Sequence, residues 1–326
     1  GYIPVELSHL SKLTHLTLYD GDIIVETYVL KRMLQNFTNL RQLTLQNVNM
    51  SNVELLTSFT NISSSLELLY LWDCGLQGKF PENVFRLPNL QQLILYKNYD
   101  VIGSMPTFNW STPLRYLDLS FTQISVDLPY LSTTAKSLQS LGLSNCSFTG
   151  SSSSYPEMLT NLTQLLQLTS LDLSHNNFGG QIPLHYLNLH QFIYLGLSGN
   201  NFVGEIPEFS KTSNSSQSPL PNHLESLYLS DNLLSGPIPS WIYSLPLLSY
   251  LSFAFPHFLK SMKNLQTLQL SHNQIQGRIP KWLWNNIGTI TFCTLENSVN
   301  LDNKCSASTL TGHTQMVKSS SLFSNP

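Results

Sequence analysis

The chain has 326 residues, 41% of them hydrophobic and only 11% charged, with a net charge of -3. Charge is far below the roughly 25% usual for soluble domains, and the absence of a basic excess excludes a phosphate-gathering surface, so nucleic acid is not an expected partner. No run of about 18 apolar residues occurs, so no segment is expected to span a bilayer.

The N-terminal stretch GYIPVELSHL has neither the basic nor the apolar region of a secretory leader. From there on, leucines recur at relative positions 0, +3 and +5, starting at Leu13, Leu40, Leu66, Leu90, Leu114, Leu138, Leu168, Leu224 and Leu265, with Phe192 substituting once. The commonest spacing is 24 residues. A period of that length with LxxLxLxxN predicts an α/β repeat fold, a leucine-rich repeat solenoid of about ten to twelve rungs with a curved parallel sheet on its concave face. Strand geometry then points Leu171 and Leu173 inward, and Ser170, Asp172 and Ser174 outward.

In the N-terminal half the outward positions depart from that small polar pattern. They carry His15, Thr17 and Tyr19, then Gln42, Thr44 and Gln46, then Leu68, Tyr70 and Trp72, then Gln92, Ile94 and Tyr96, then Tyr116. Tyr and Trp bring large contact area at low entropic cost. His15, Tyr19, Gln42, Gln46, Tyr70, Trp72, Gln92, Tyr96 and Tyr116 are therefore the candidate ligand-binding residues; the competing reading is that these rings have good strand propensity and cover one another.

Eight residues after the first leucine stand Asn98, Asn176, Asn200, Asn232 and Asn273, where the chain leaves the sheet and a buried amide can satisfy stranded backbone groups. Cys74 and Cys146 occupy the same register and are expected to be buried thiols in this structural ladder, without a disulfide between them. GKFP, GSMP, GQIP, GEIP, GPIP and GRIP follow in successive rungs and mark tight turns.

Two long repeats, 138–168 and 192–224, carry extra polar text at 151–158 and 211–222, expected to form lateral loops. Between Leu248 and Leu265 the spacing falls to 17, which predicts a shortened repeat with poor stacking between the strands near 250 and 267. The solenoid is expected over residues 1–295, beginning in mid-repeat, with a last degenerate strand at 287–293. Residues 296–326 are expected to be an irregular or disordered Ser-rich tail. Cys293 and Cys305 are close enough in sequence to pair, and equally plausible as free thiols.

The scattered histidines form no HExxH motif, and there is no GxSxG and no phosphate-cradling glycine loop. His175 and His272 share one register, read as a solvated turn position rather than a metal or pH-sensing site. Asp118 and Asp172 are the ordinary aspartates of an LDLS rung. Neither an active site, a metal site nor a cofactor is expected, so the chain is read as a non-enzyme.

The composite LxxLxLxxNxFxGxIP, and the wording NLQTLQLSHNQIQGRIPKWLW at 264–284, resemble the plant-specific repeats of receptor-like proteins of the Cf disease-resistance type, over about residues 1–295. The resemblance implies a secreted, glycosylated ectodomain. It would bind an extracellular peptide, protein or microbial elicitor for defence or developmental signalling, and signal through a co-receptor kinase in the full-length family. It places the family at the extracellular face of the plasma membrane and this chain in the secreted or apoplastic space. The chain departs from the family in lacking the signal peptide, cysteine-paired cap, membrane helix and basic tail, which suggests a fragment. The runner-up is a secreted inhibitor of a microbial polygalacturonase-like enzyme, which uses the same repeat. Asn36, Asn61, Asn109, Asn161 and Asn214 lie in sequons and are the candidate glycosylation sites.

Overall fold

The computed structural model describes residues 1–106, 112–148, 159–182, 191–206, 221–235, 239, 241–242 and 245–252, together with the strands at 267–271, 289–294 and 306–311. The chain divides into two units, Gly1–Asn176 and Asn177–Pro326.

In the first unit the main sheet is built from His15–Tyr19, Gln42–Gln46, Leu68–Trp72, Gln92–Ile94, Tyr116–Asp118, Ser140–Gly142 and Ser170–Asp172, each parallel to the next and in register. The register sets leucine on leucine: Leu43 faces Leu69, which faces Leu93, then Leu117, Leu141 and Leu171. All are buried, and each contributes roughly 1.5–3 kcal/mol only because the neighbouring rung covers it. On the return side the chain makes short helices, Thr27–Asn36, Leu55–Ser58 and Leu128–Thr134, and 3-10 turns. Phe37, Phe59 and Phe85 close the core there.

A second, parallel sheet of four strands, Gln77–Lys79, Asp100–Ser104, Gln123–Val126 and Ser147–Phe148, forms where the sequence suggested only turns. The second unit repeats the scheme. Its main-sheet strands are Tyr194–Gly196, Ser226–Tyr228, Tyr250–Ser252, Thr267–Ser271 and Thr289–Thr294, with a smaller sheet of Gly179–Gly180, Asn201–Glu205 and Leu233–Ser235.

Three expectations are corrected. Tyr250–Ser252 and Thr267–Ser271 pair in register, Leu251 on Leu268, so the shortened spacing does not interrupt the ladder. Residues Ser306–Thr311 form a strand antiparallel to Thr289–Thr294, inside the segment expected to be irregular. Ser174, expected to be a solvent-facing outward position, is covered: it is 7% exposed, and Ser120, Ser144, Ser198 and Ser230 are buried in the same register. The register is that of Trp72 and Tyr96, but these small side chains are covered by their neighbours, and their polar groups bond between rungs, as in Ser144 N to Ser120 Oγ at 3.0 Å.

The Asn register has a direct geometric account. Asn98 Oδ1 accepts Cys74 N and Leu76 N from the preceding rung, while its Nδ2 donates to Leu71 O and Leu95 O. Asn176 Oδ1 accepts Cys146 N, Asn200 Oδ1 accepts Phe178 N, and Asn232 Oδ1 accepts Phe202 N. Cys74 and Cys146 substitute for the donor half only: their thiols donate to Leu45 O at 3.2 Å and Leu119 O at 3.1 Å. Both are free. Burial pushes the Cys74 thiol to about 11 and that of Cys146 to about 12. Val48, buried, and Thr122 fill the same place in two other rungs; Thr122 Oγ1 donates to Leu119 O, and Val48 brings no polar atom. Asn273 and Cys305 lie outside the described residues.

Candidate binding face

The side of the main sheet opposite the leucines presents three columns in the first unit. One runs His15, Gln42, Leu68, Gln92, Tyr116, Ser140, Ser170, and the next Thr17, Thr44, Tyr70, Ile94, Asp118, Gly142, Asp172. The third begins Tyr19, Gln46, Trp72. Strand pairing thus lines up the nine candidate residues on one face, with Tyr96 just past the end of Gln92–Ile94. At one end His15 is exposed, its Nδ1 2.8 Å from Thr14 Oγ1, and Tyr19 is 74% exposed. Tyr116 is 41% exposed, whereas the Gln42, Gln46, Tyr70, Trp72, Gln92 and Tyr96 side chains are half-buried among their neighbours.

Rings join between the third column and the turn that follows it. Trp72 meets Tyr96 edge to face at 6.1 Å, Tyr96 meets Phe121 at 5.4 Å, and Phe121 also meets Tyr99 at 6.0 Å and His175 at 6.5 Å. Such contacts are worth about 0.5–1.5 kcal/mol beyond area burial. Lys97 Nζ lies 5.6 Å from the centre of the Tyr96 ring.

Sequence reasoning missed Phe121, Lys97 and Tyr99. A signal was present seven residues after the start of the rungs that follow the first. Asn47, Asp73, Lys97, Phe121, Asn145, His175 and, in the second unit, Gly199 and Asp231 all have positive φ there, between 50° and 66°. Asn, Asp and Gly tolerate that left-handed backbone, whereas a bulky side chain in it is an outlier. The two residues that break the preference, Lys97 and Phe121, lie at the aromatic row, and His175 in the same register meets Phe121.

Below the rings, Asp118 and Asp172 stand in one column on either side of Gly142. Each carboxylate accepts the N–H of the serine two residues on, Ser120 and Ser174, at 2.9 Å. The Asp118 carboxylate leans over Gly142, where a Cβ would come 2.6 Å from its Oδ1. Burial holds the Asp118 carboxyl above the usual carboxylate range, with the Asp172 charge adding to it and the Ser120 hydrogen bonds opposing. Burial, and then the Asp118 charge, raise Tyr70 and Tyr96 likewise.

In the second unit the same face carries Tyr194 and Tyr228, 5.4 Å apart, beside Tyr250. Among the described residues no group of three or more His, Cys, Asp or Glu side chains could hold a metal ion, and no helix is long and apolar enough to cross a membrane. His272 lies outside the described residues.

The sequons differ in setting. Asn61 is exposed. Asn36 is half-buried, its Nδ2 donating to Ser8 O at 3.0 Å. Asn161 is half-buried at the start of the turn Leu162–Gln164. Asn109 and Asn214 lie outside the described residues.

The Leucine Rich Repeat family model matches residues 137–162, 167–189, 223–245 and 264–286. Receptor-like protein 35 of Arabidopsis thaliana is 35% identical over 281 residues, covering 79% of this chain and 27% of that protein. Receptor-like protein Cf-9 of Solanum pimpinellifolium is 36% identical over 125 residues, covering 38% of this chain and 14% of that protein. The chain therefore spans about a quarter or less of the length of these relatives. The ectodomain of the Arabidopsis receptor kinase HAESA, solved with an IDA peptide hormone ligand, superposes with a TM-score of 0.55 at 26% identity, covering 88% of this chain and 55% of that one. The TDR receptor, at TM-score 0.56 and 22% identity over 90% of this chain and 54% of that one, shares the fold.

Proposed function

This chain is a leucine-rich repeat protein of the plant receptor-like type, and we propose that it recognises an extracellular peptide or microbial elicitor on its concave face, for defence or developmental signalling. The observation that carries this reading is the continuous row Trp72, Tyr96, Phe121 on the side of the sheet opposite the core. Backbone bonding within the sheet is complete between rungs, so a ligand there meets only side chains. Rigid rings offer it area without loss of rotamer freedom.

The strip from His15 to Tyr116 spans five strands at about 4.8 Å, roughly 20 Å across, enough for about six residues of extended chain. The peptide complex of HAESA supports the same choice of ligand class. In this reading the chain works at the cell surface as a recognition module rather than a catalyst, and the kinase activity of the pathway belongs to a co-receptor partner.

The test is peptide binding by the wild-type chain and by Trp72→Ala and Tyr96→Ala, using a displayed library of random dodecapeptides as probe. A loss of about tenfold or more in each variant is expected for central aromatic anchors. Unchanged affinity in both would remove the strip from consideration.

A further inference from the structure

The open face of the first unit is nearly free of charge, and what it carries has one sign. Apart from His15, the outward positions of its seven strands hold only Asp118 and Asp172 as ionisable carboxyl or basic groups; the rest are amides, hydroxyls, rings, Leu68, Ile94 and Gly142. Ion pairs among the described residues are Arg41–Glu67 and Lys79–Glu82, so neither aspartate has a cation partner there. The nearest basic group at the aromatic row, Lys97, is placed over the Tyr96 ring.

Two features draw the carboxylates together rather than apart. They occupy the same column two rungs apart, roughly 10 Å between backbones. Gly142 in the intervening rung lets Asp118 lean across it: any side chain would collide with a carboxylate whose Cγ is 2.7 Å from the Cβ position. Like charges brought nearer in a part-buried site cost free energy unless a cation arrives. Tyr70 stands in the same column two rungs before Asp118, and Phe121, three residues on from Asp118, meets Tyr96, so the same spot has an aromatic wall.

We propose that this place, Asp118 and Asp172 about Gly142 beside Tyr96 and Phe121, receives an arginine side chain of the bound peptide. The inference rests on the concave face being the ligand surface. A guanidinium suits it better than an ammonium, because its planar fork can donate to two carboxylates while its face lies on a ring. Asp73, Lys97 and His175 sit at the rung corners, Lys97 against the Tyr96 ring and His175 against Phe121.

The experiment is a pair of selections from the random dodecapeptide library, one on the wild-type chain and one on Asp118→Asn/Asp172→Asn. Asparagine keeps an acceptor for Ser120 N and Ser174 N, so the fold is retained. Wild-type selection should converge on peptides with one fixed arginine, and the double variant should bind the same peptides at least tenfold more weakly. Replacing that arginine by citrulline should weaken wild-type binding equally and leave the double variant unaffected. Gly142→Ala, which displaces the Asp118 carboxylate, should act in the same direction. Convergence on peptides without a basic residue, or equal binding of the arginine peptide by both proteins, overturns the inference while leaving the ligand surface in place. Failure to enrich any peptide overturns both.

Discussion

Asn98 Oδ1 accepts the backbone N–H of Cys74 at 3.1 Å across 24 residues of chain, and the same oxygen takes Leu76 N at 3.2 Å. One amide thus closes a turn in the rung before its own. Asn98→Ala would strand these two donors and the carbonyls of Leu71 and Leu95, at about 1–3 kcal/mol for each group left without water or a partner. A loss of at least about 3 kcal/mol is expected, read by denaturant unfolding, with the Cys74 and Leu76 amides losing hydrogen-exchange protection first. Protection unchanged at both amides would contradict the ladder.

The thiols of Cys74 and Cys146, raised to about 11 and about 12, should stay protonated at pH 8 and resist alkylation. Peptide mapping after maleimide treatment of the native chain should find both unlabelled, and both labelled once denaturant is added. Rapid native labelling of Cys74 would show that its rung opens.

Phe121 combines a left-handed backbone with ring contacts to Tyr96, Tyr99 and His175. In Phe121→Asn, relief of backbone strain worth about 1–3 kcal/mol opposes the lost packing. Thermal stability should therefore change little, while peptide binding falls about tenfold. A large drop in stability with unaltered binding would assign the ring a packing role only.

Asp118 has a folded pKa above its unfolded one, so it favours the fold fully only below the unfolded value, near 4, and that contribution is lost as pH rises through the folded value. Asp118→Asn should therefore melt about 1–2 °C higher than wild type at pH 7. At pH 3, where the wild-type carboxyl is already neutral, the gap should close. A variant less stable at pH 7 would reverse the sign of this account. More stable and weaker in binding is the combination expected of a residue kept for recognition.

For glycosylation, Asn61 is exposed, whereas Asn36 donates its side-chain nitrogen to Ser8 O. Mass spectrometry of chain made in the plant secretory pathway should find a glycan on Asn61 at high occupancy and little on Asn36. High occupancy at Asn36 would mean that the sugar is attached before that contact forms.

The main sheet was legible because a leucine pair repeated at a fixed period has one packing solution, and the Asn register followed from the backbone groups that solution strands. The second sheet was not. Its strands are two to five residues long, include Gly78 and Gly103, and carry no sustained alternation. Ser306–Thr311 was equally hidden, since a single polar strand pairing antiparallel with its neighbour leaves no period to detect. Trp72 and Tyr96 could be placed on one face from strand alternation alone. Phe121 could not, because its column is set by a turn, and only the mismatch between a large ring and a left-handed corner marks it.

Val48 fills the place that Asn98 holds two rungs later, and the clasp offered to its rung by Cys74 is a thiol rather than an amide. A stack whose fasteners differ in strength does not come apart everywhere at once. Heating should peel the first two rungs away while those around Asn98 stay closed, and with them would go His15, Tyr19, Gln42 and Gln46. Part of the recognition surface would then fade before the scaffold melts.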